Sequence, residues 1–508
     1  MNLDELVLKD AEKLTPENLE DYRRTWAKKL KKMPKNSEIR PLLSDPELVE
    51  MMKTRGVRTE SGVAPFAVMM KPFHCPGTCI YCPLEEGMPK SYLSDEPAAQ
   101  RAKTLNFDPY EQVVGRLGQL KETGHLTNKI DLIVIGGTFS AYPDDYKREF
   151  FKGMYDGVNG FVSGSLEEAI KFNETAQRRI VGISVETRPD WVSEEEIKIW
   201  RRMGVTKVQL GVQAFDDLIM RKIDRGHSLD EVAEATRMCR NTGLKICYHF
   251  MPNLPGSSPE KDVEMARIMF EDPRFMPDYL KVYPAMTIPG TQMHKMWERG
   301  EYVPYSEAEL REVLLAIKAM TPEWCRIDRL VRDISKKWVA AGEASTNMRQ
   351  ILQAQLLSEG KKCRCIRCRE VRGGIYSDKV EYVERERTTL GGREIFMSFE
   401  NEDKLYSMLR LRLPEPGEKF LFTELEGAAI VREVHTYGQV ERLEESEGVK
   451  TQHKGLGRTL MNIAEERAIR EGFGRIAVIS AVGTREYYKK LGYTLEGEYM
   501  IKDFGHEK

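Results

Sequence analysis

The chain of 508 residues contains no apolar run near the roughly 20 residues that a membrane-spanning helix needs, so no such span is expected. Its opening, Met1-Asn2-Leu3-Asp4-Glu5, lacks the basic-then-apolar layout of a secretory signal, which predicts a cytoplasmic protein. A disulfide framework is missing too. Six of the nine cysteines fall in two tight clusters, while Cys239, Cys247 and Cys325 are scattered, and clustered thiols in a reducing compartment read as metal sites. The formal net charge is only −2, but local stretches depart from that balance. With 41% hydrophobic and 31% charged residues, the composition is that of a globular chain long enough for roughly two to four domains.

The first cluster is Cys75, Cys79 and Cys82 in C-x3-C-x2-C spacing, with Tyr81 directly before the last thiol. A zinc knuckle draws its ligands from two C-x2-C-like pairs, and no second pair follows closely. Thiolates also hold iron–sulfur clusters. Three of them leave one iron of a [4Fe–4S] cube open to a small molecule. This spacing resembles the radical S-adenosylmethionine (SAM) signature, in which SAM takes the open iron through its amino and carboxylate groups.

Around that loop, from about residue 61 to 334, short β-rich runs alternate with amphipathic helices. The strand candidates are Pro65–Met70, Ile130–Ile135, Ile180–Val185, Lys207–Val212, Lys245–Phe250, Tyr279–Tyr283 and Cys325–Leu330, with helices such as Pro109–Lys121, Ser193–Met203 and Leu229–Thr242 between them. Such repetition predicts parallel βαβ units closed into a full or partial (β/α) TIM-like barrel, in which ligands bind at the strand C-termini. Polar residues follow those ends: the cysteine loop, then Gly136-Gly137-Thr138, Glu186 with Arg188, Gln213, and Lys281. The glycines let the backbone approach SAM's amino group, and Glu186 and Arg188 suit its ribose and carboxylate.

Residues 1–60 read as a helical extension, with Thr15-Pro16 as cap and first turn and with Leu19, Tyr22, Trp26 and Leu30 at helical spacing. Between Arg23 and Arg40 it carries a net +7, from Arg23, Arg24, Lys28, Lys29, Lys31, Lys32, Lys35 and Arg40 against Glu38, a density suited to a phosphate backbone. Residues 335–378 loosen into a connector holding Cys363, Cys365 and Cys368, a candidate zinc clip that needs a fourth ligand from elsewhere, in a basic surround. Residues 379–508 change to a mixed α/β pattern. There Gln452-His453-Lys454-Gly455-Leu456-Gly457 matches the Q-x-x-G-x-G turn of the GNAT acetyltransferases, whose helix N-terminus receives the pyrophosphate of coenzyme A. Tyr487 and Tyr488 are candidates for protonating the leaving thiolate.

In this order the two halves resemble one family over essentially the whole chain: the catalytic subunit of Elongator, which modifies the wobble uridine of tRNA. Asp108-Pro109-Tyr110-Glu111-Gln112, Ile135–Phe139, Glu186–Asp190, Asp224-Arg225-Gly226-His227 and Arg432–His435 carry the resemblance. Eukaryotic members have a longer spacer after the first cluster cysteine and lack the full Cys363 trio, so this chain resembles a bacterial or archaeal form acting without other Elongator subunits. The resemblance implies that SAM cleavage yields a 5′-deoxyadenosyl radical that takes hydrogen from the methyl group of acetyl-CoA. The carbon radical then adds to C5 of uridine 34, and thioester hydrolysis leaves 5-carboxymethyluridine. It further implies acetyl-CoA contacts at Lys129, Arg432, Glu433, Val434, His435, Gln452, Gly455, Leu456, Gly457 and Tyr487, catalytic roles for Tyr487, Tyr488 and His435, and the anticodon stem-loop as partner. Lys281, at the barrel mouth, is a further catalytic candidate for its contact with substrate. Two rivals remain at the sequence level. One is a protein lysine acetyltransferase on a structural radical SAM platform, and the other is a non-catalytic tRNA-binding scaffold.

Overall fold

The structure, a computed structural model, describes residues 2–52, 62–342, 347–372, 379–438 and 455–505. Among these residues no helix is long and apolar enough to cross a membrane.

Seven strands, β1 (Val63–Met69), β2 (Lys129–Ile135), β3 (Arg179–Thr187), β4 (Lys207–Gln213), β5 (Lys245–Phe250), β6 (Tyr279–Val282) and β7 (Arg326–Leu330), form one sheet in sequential order. Every neighbouring pair is parallel. Helices make the crossovers that parallel pairing requires, and serine side chains start several of them, with capping boxes at Ser228/Glu231 and Ser306/Glu309. The sheet is a partial barrel with β1 and β7 at its edges. The strands expected from sequence lie where the alternation put them, displaced by a residue or two at their ends.

Alternation also decides the two faces of the sheet. In β4, Val208, Leu210 and Val212 are fully buried under the surrounding helices, whereas Lys207, Gln209, Gly211 and Gln213 line the interior cavity. Neighbouring strands follow suit, with Lys245 and His249 of β5 and Tyr279 and Lys281 of β6 on the cavity side. This barrel therefore has a polar bore.

The second sheet orders as β13-β14-β12-β11-β10-β9-β8, built from β8 (Glu381–Thr389), β9 (Gly392–Asn401), β10 (Lys404–Pro414), β11 (Ala428–Thr436), β12 (Arg475–Val478), β13 (Thr494–Glu496) and β14 (Tyr499–Asp503). Only β11 and β12 pair in parallel. Their ladder ends at Val431 opposite Val478 while β11 continues to Thr436 along β10, so the two strands part and leave a wedge. A bulge that leaves Arg432 unpaired, between Val431 and Glu433, bends β11 at that point.

This second sheet closes the N-terminal end of the barrel. Its side chains bond to the turns that precede the barrel strands: Tyr499 Oη to Thr242 O at 3.0 Å, Arg432 Nη2 to Leu244 O at 2.7 Å and Arg410 Nη1 to Trp324 O at 2.8 Å. Ile430, Ile479, Val482 and Tyr499 join the barrel's own hydrophobic core. Between the two sheets lies a buried charge cluster in which Arg432 pairs with Asp278 and with Glu394, Arg410 with Glu433 and Arg412 with Glu394. Isolated charges there would be costly, and the pairing offsets that cost.

Two expectations need correction. The helix Leu19–Leu30 starts three residues later than Pro16: Asn18 is its cap residue, and the Asn18 amide oxygen accepts from Thr15 N at 2.8 Å in the preceding turn. The connector is also tighter than its sequence suggests, because the helix Met348–Ser358 buries Met348, Leu352 and Leu356 in the barrel core.

Candidate functional site

One cavity of about 1020 Å³ dominates the described residues and runs through the bore. At the strand C-termini it is lined by Cys75, Cys79 and Cys82, together with Gly137, Thr138, Glu186, Arg188 and Gln213. The strand-end pattern of the sequence predicts that these residues share a mouth, and they do.

The cysteine loop is held by basic groups. Arg225 Nη1 donates to Cys79 Sγ at 3.4 Å and Arg188 Nη1 approaches the same sulfur at 3.9 Å. The hydrogen bond from Cys82 and the Arg225 charge hold the Cys79 thiol far below its ordinary range, as a metal ligand requires. Arg188 differs from its expected role. Its guanidinium is bidentate to Asp190, at 3.0 and 2.9 Å, and donates to Arg225 O at 2.7 Å, so it braces the loop and has little capacity left for a SAM carboxylate. Gly136 and Gly137 have φ of +146° and +95°, which side-chain-bearing residues rarely adopt. Thr138 Oγ1 lies 3.5 Å from Cys75 Sγ. Gln213 takes φ +79° with a full side chain, a strained position of the kind that collects at ligand sites. Glu186 accepts from Tyr92 Oη at 2.6 Å and stands 3.4 Å from Lys281 Nζ, so Lys281 reaches the mouth from β6.

The two cysteine clusters differ in spacing. Sulfurs around one tetrahedral zinc lie about 3.8 Å apart, given Zn–S near 2.3 Å, whereas sulfurs on separate irons of a cube stand farther off. Among the described residues, only Cys363, Cys365 and Cys368 bring three ligand atoms within 4.8 Å of one another. The Cys75 trio is not drawn together that closely as a whole, and the second trio fits a single ion. Lys318 Nζ lies 3.9 Å from Cys368 Sγ, and Ile366 N donates to Cys325 O, so the trio is seated against the start of β7.

At the other end of the bore the cavity reaches Glu433, His435, Ala481 and Tyr488 around the β11–β12 wedge. Glu433 is fixed by Arg410 Nε at 2.8 Å and by Tyr279, and its carboxyl is held at about 2: burial opposes ionisation, but Arg410, Lys245 and Tyr279 outweigh it. Burial keeps His435 and, more strongly, His249 neutral. Arg432 carries its buried ion pairs, so its guanidinium is not free for a coenzyme as expected from sequence. The helix Leu456–Arg470 opens at Gly455, φ +132°, with no side-chain cap. A Cβ on Gly457 would sit 3.3 Å from Tyr487 Oη and 3.4 Å from Thr436 Oγ1, which places that phenol over the helix start beside β11. Tyr487 is half exposed, while Tyr488 packs edge-on against it and faces the cavity; burial raises both phenols, so they stay protonated at neutral pH. Leu456 is nearly buried at the helix start, and Val434 flanks Gly457. Lys129 is exposed at the start of β2, at this end of the barrel, and partial desolvation of its ammonium together with the Arg179 charge lowers its pKa from the ordinary lysine value. Gln452 lies outside the described residues.

The basic patches are only partly as expected. Arg24, Lys28, Lys29, Lys31, Lys32 and Lys35 are exposed, but Arg23 turns inward to Glu20 and Pro34 O, and Arg40 docks the helical extension onto Lys121 O. Around the second trio, Arg369 is buried against Glu400 and Arg372 is paired with Glu370. Arg225 falls in the family-like stretch Asp224–His227 but has no role assigned from sequence. The bore residues Lys207, Gln209, Lys245 and Asp328 are not singled out by sequence motifs, although polar–apolar alternation in β4 and β5 is the signal for most of them.

A three-cysteine loop at the C-terminal mouth of a partial parallel barrel defines the class, the radical SAM enzymes. Residues 72–269 match the model of the Radical SAM superfamily, and residues 277–357 match that of the Radical_SAM C-terminal domain. The tRNA uridine(34) acetyltransferase of Dehalococcoides mccartyi (strain CBDB1) is 46% identical, over 88% of this chain and 98% of its own. Elongator complex protein 3 of Homo sapiens is 38% identical, over 90% and 86%. The solved structure of Methanocaldococcus infernus Elp3 with an N-terminal deletion superposes with a TM-score of 0.77 at 40% identity, over 87% and 99%. The chain belongs to the tRNA uridine(34) acetyltransferase and Elongator complex protein 3 family.

Proposed function

We propose that this protein modifies the wobble uridine 34 of tRNA, using a [4Fe–4S] cluster, SAM and acetyl-CoA, to give 5-carboxymethyluridine. The observation that carries this reading is the single cavity joining the cysteine loop to the wedge and helix start of the second sheet. When bound, the cluster and SAM supply a carbon radical able to remove hydrogen from an unactivated methyl group; that chemistry is the cofactor's.

The chain's own residues bind, orient and move protons. Cys75, Cys79 and Cys82 hold the iron, with the Cys82 hydrogen bond and the Arg225 charge favouring the ionised form of Cys79. Gly136, Gly137 and Thr138 offer backbone groups to SAM's amino end, Glu186 accepts from its ribose, and Gln213 closes the mouth. Residues 379–508 act as a GNAT domain. The free N–H groups at Gly455–Gly457 receive the pyrophosphate of acetyl-CoA, Val434 and His435 line its thioester, and Lys129 faces the coenzyme from the barrel. A phenol kept protonated by burial, Tyr487 or Tyr488, donates to the leaving thiolate. Cys363, Cys365 and Cys368 hold a zinc ion that clips β7 to the second sheet. The exposed lysines of residues 28–35, with Arg24, hold the phosphate backbone of the anticodon stem-loop, positioning it without reading sequence.

The test is mass spectrometry of nucleosides from tRNA incubated anaerobically with reconstituted protein, reductant, SAM and acetyl-CoA. A new carboxymethyluridine, absent in Cys79→Ala and in a Tyr487→Phe/Tyr488→Phe pair, is expected. Unmodified uridine 34 from a protein with a reducible cluster and intact acetyl-CoA binding would overturn the reading, and acetylation of a protein lysine instead would favour the acetyltransferase rival.

A further inference from the structure

Barrel interiors are ordinarily filled by layers of branched apolar side chains, and the N-terminal end of the strands serves stability. Here the inward positions at that end carry Asp131, Lys207, Lys245, Tyr279 and Arg326, and they line the same cavity as Cys79 and Cys82. Burying charges around open space is costlier than filling it with leucine, which points to a polar occupant. The second sheet adds Glu433 and His435 to this end. Lys207 lies 4.7 Å over the Tyr279 ring and 4.0 Å from Asp328, while Lys245 Nζ has Thr206 Oγ1 at 3.4 Å. Two ammonium groups therefore face the bore where the wedge opens into it.

Distance makes this arrangement necessary. The seven residues of β4 span about 20 Å, so a thioester resting in the β11–β12 wedge is far from the cysteine loop. Bond-making needs reacting atoms about 3–3.5 Å apart. Something must travel the bore.

We infer that the barrel is loaded from both ends: the acyl arm of an acyl-CoA enters the bore from the N-terminal end, past Lys207 and Lys245, to meet SAM chemistry inside the barrel. This rests on the proposed use of acetyl-CoA. The strand C-termini then remain open for the nucleoside, and the second sheet acts as the loading port.

The test uses metal-free protein and bromoacetyl-CoA, whose alkylating carbon replaces the acetyl methyl group; a thiol displaces bromide and forms a thioether. Gln209→Cys places a thiol in mid-bore, where Gln209 bonds Ser184 Oγ at 2.9 Å and His249 Nε2 at 3.2 Å. Ile133→Cys, on β2 and lining the same cavity, serves if the first variant folds poorly. Peptide mass spectrometry should show the introduced thiol alkylated at least roughly tenfold faster by bromoacetyl-CoA than by equimolar bromoacetamide, because binding concentrates the reagent. Free CoA should abolish that advantage, and buried Cys239 should stay unlabelled. The inference is overturned if bromoacetyl-CoA binds by calorimetry but the thiol reacts only with bromoacetamide, or with neither reagent. If bromoacetyl-CoA does not bind at all, the proposed use of acetyl-CoA fails and this inference falls with it.

Discussion

At the scale of single residues, Arg225 shows how a charge decides what a thiol can do. It is fully buried, bonds Gly211 O at 3.0 Å and faces Cys79 Sγ, so the thiolate has a partner before any iron arrives. Arg225→Met is expected to reduce the iron retained after reconstitution several-fold, and Arg225→Lys to recover part of it, since a charge-assisted hydrogen bond is worth about 1.5–3 kcal/mol. Iron-to-protein ratios with circular dichroism as a folding control decide the matter; equal iron in Arg225→Met would remove the residue from the site. Gly136 gives a second case. At φ +146°, with Met70 Cβ 3.1 Å from where its own Cβ would lie, Gly136→Ala should cost about 1–3 kcal/mol of stability and weaken SAM binding. Calorimetric SAM titration and thermal melts would show it, and unchanged values for both would mean that the loop relaxes freely.

Among the elements, β11 does most to join the two halves. Its bulge turns Arg432 into the buried cluster and leaves Glu433 facing the bore. Glu433 sits at about 2 against an ordinary 4.5, so the unfolded chain binds the extra proton between those values. Stability from Glu433 is therefore fully present above about pH 4.5 and is lost as pH falls through about 2, and it amounts to about 3 kcal/mol. Glu433→Gln should lower stability by that order at pH 7, and the difference from the parent should vanish near pH 2. Urea midpoints across that range check this, and a pH-independent difference would contradict it. Arg432 itself is legible in the sequence as part of a family-like motif but not as an ion-pair partner, because Asp278 lies 154 positions earlier in the chain.

For the whole molecule, the second sheet and the barrel share one core, so neither is expected to stand alone. Residues 379–508 expressed by themselves expose Ile430, Ile479, Val482 and Tyr499 and should aggregate, with solubility restored by co-expression of residues 1–378. A monomeric, cooperatively melting fragment would refute that. The helical extension makes a further contribution. Neutralising Lys28, Lys31 and Lys32 to Gln should weaken tRNA binding uniformly across sequences and flatten its log–log salt dependence by roughly 2, at about 0.7 for each phosphate deprived of its lysine. An unchanged salt slope would place the tRNA elsewhere.

The sequence by itself determined the strand and helix order, the cysteine loop at a strand end and the Gly-x-Gly helix start, because each depends on residues close together in the chain. The polar interior was also written there, in the alternation of Lys207, Gln209 and Gln213 with buried valine and leucine, though only a closed curve tells which face is inside. Tertiary structure alone decided that Arg188 braces a loop, that Arg40 and Arg369 are anchors, that Cys363, Cys365 and Cys368 converge within 4.8 Å, and that the second sheet sits over the N-terminal end of the bore. Those facts depend on which groups meet in three dimensions, whether they stand two positions apart, as Arg188 and Asp190 do, or 81 apart, as Arg40 and Lys121 do. Such meetings are set by how the elements pack against each other and leave no local periodicity to read.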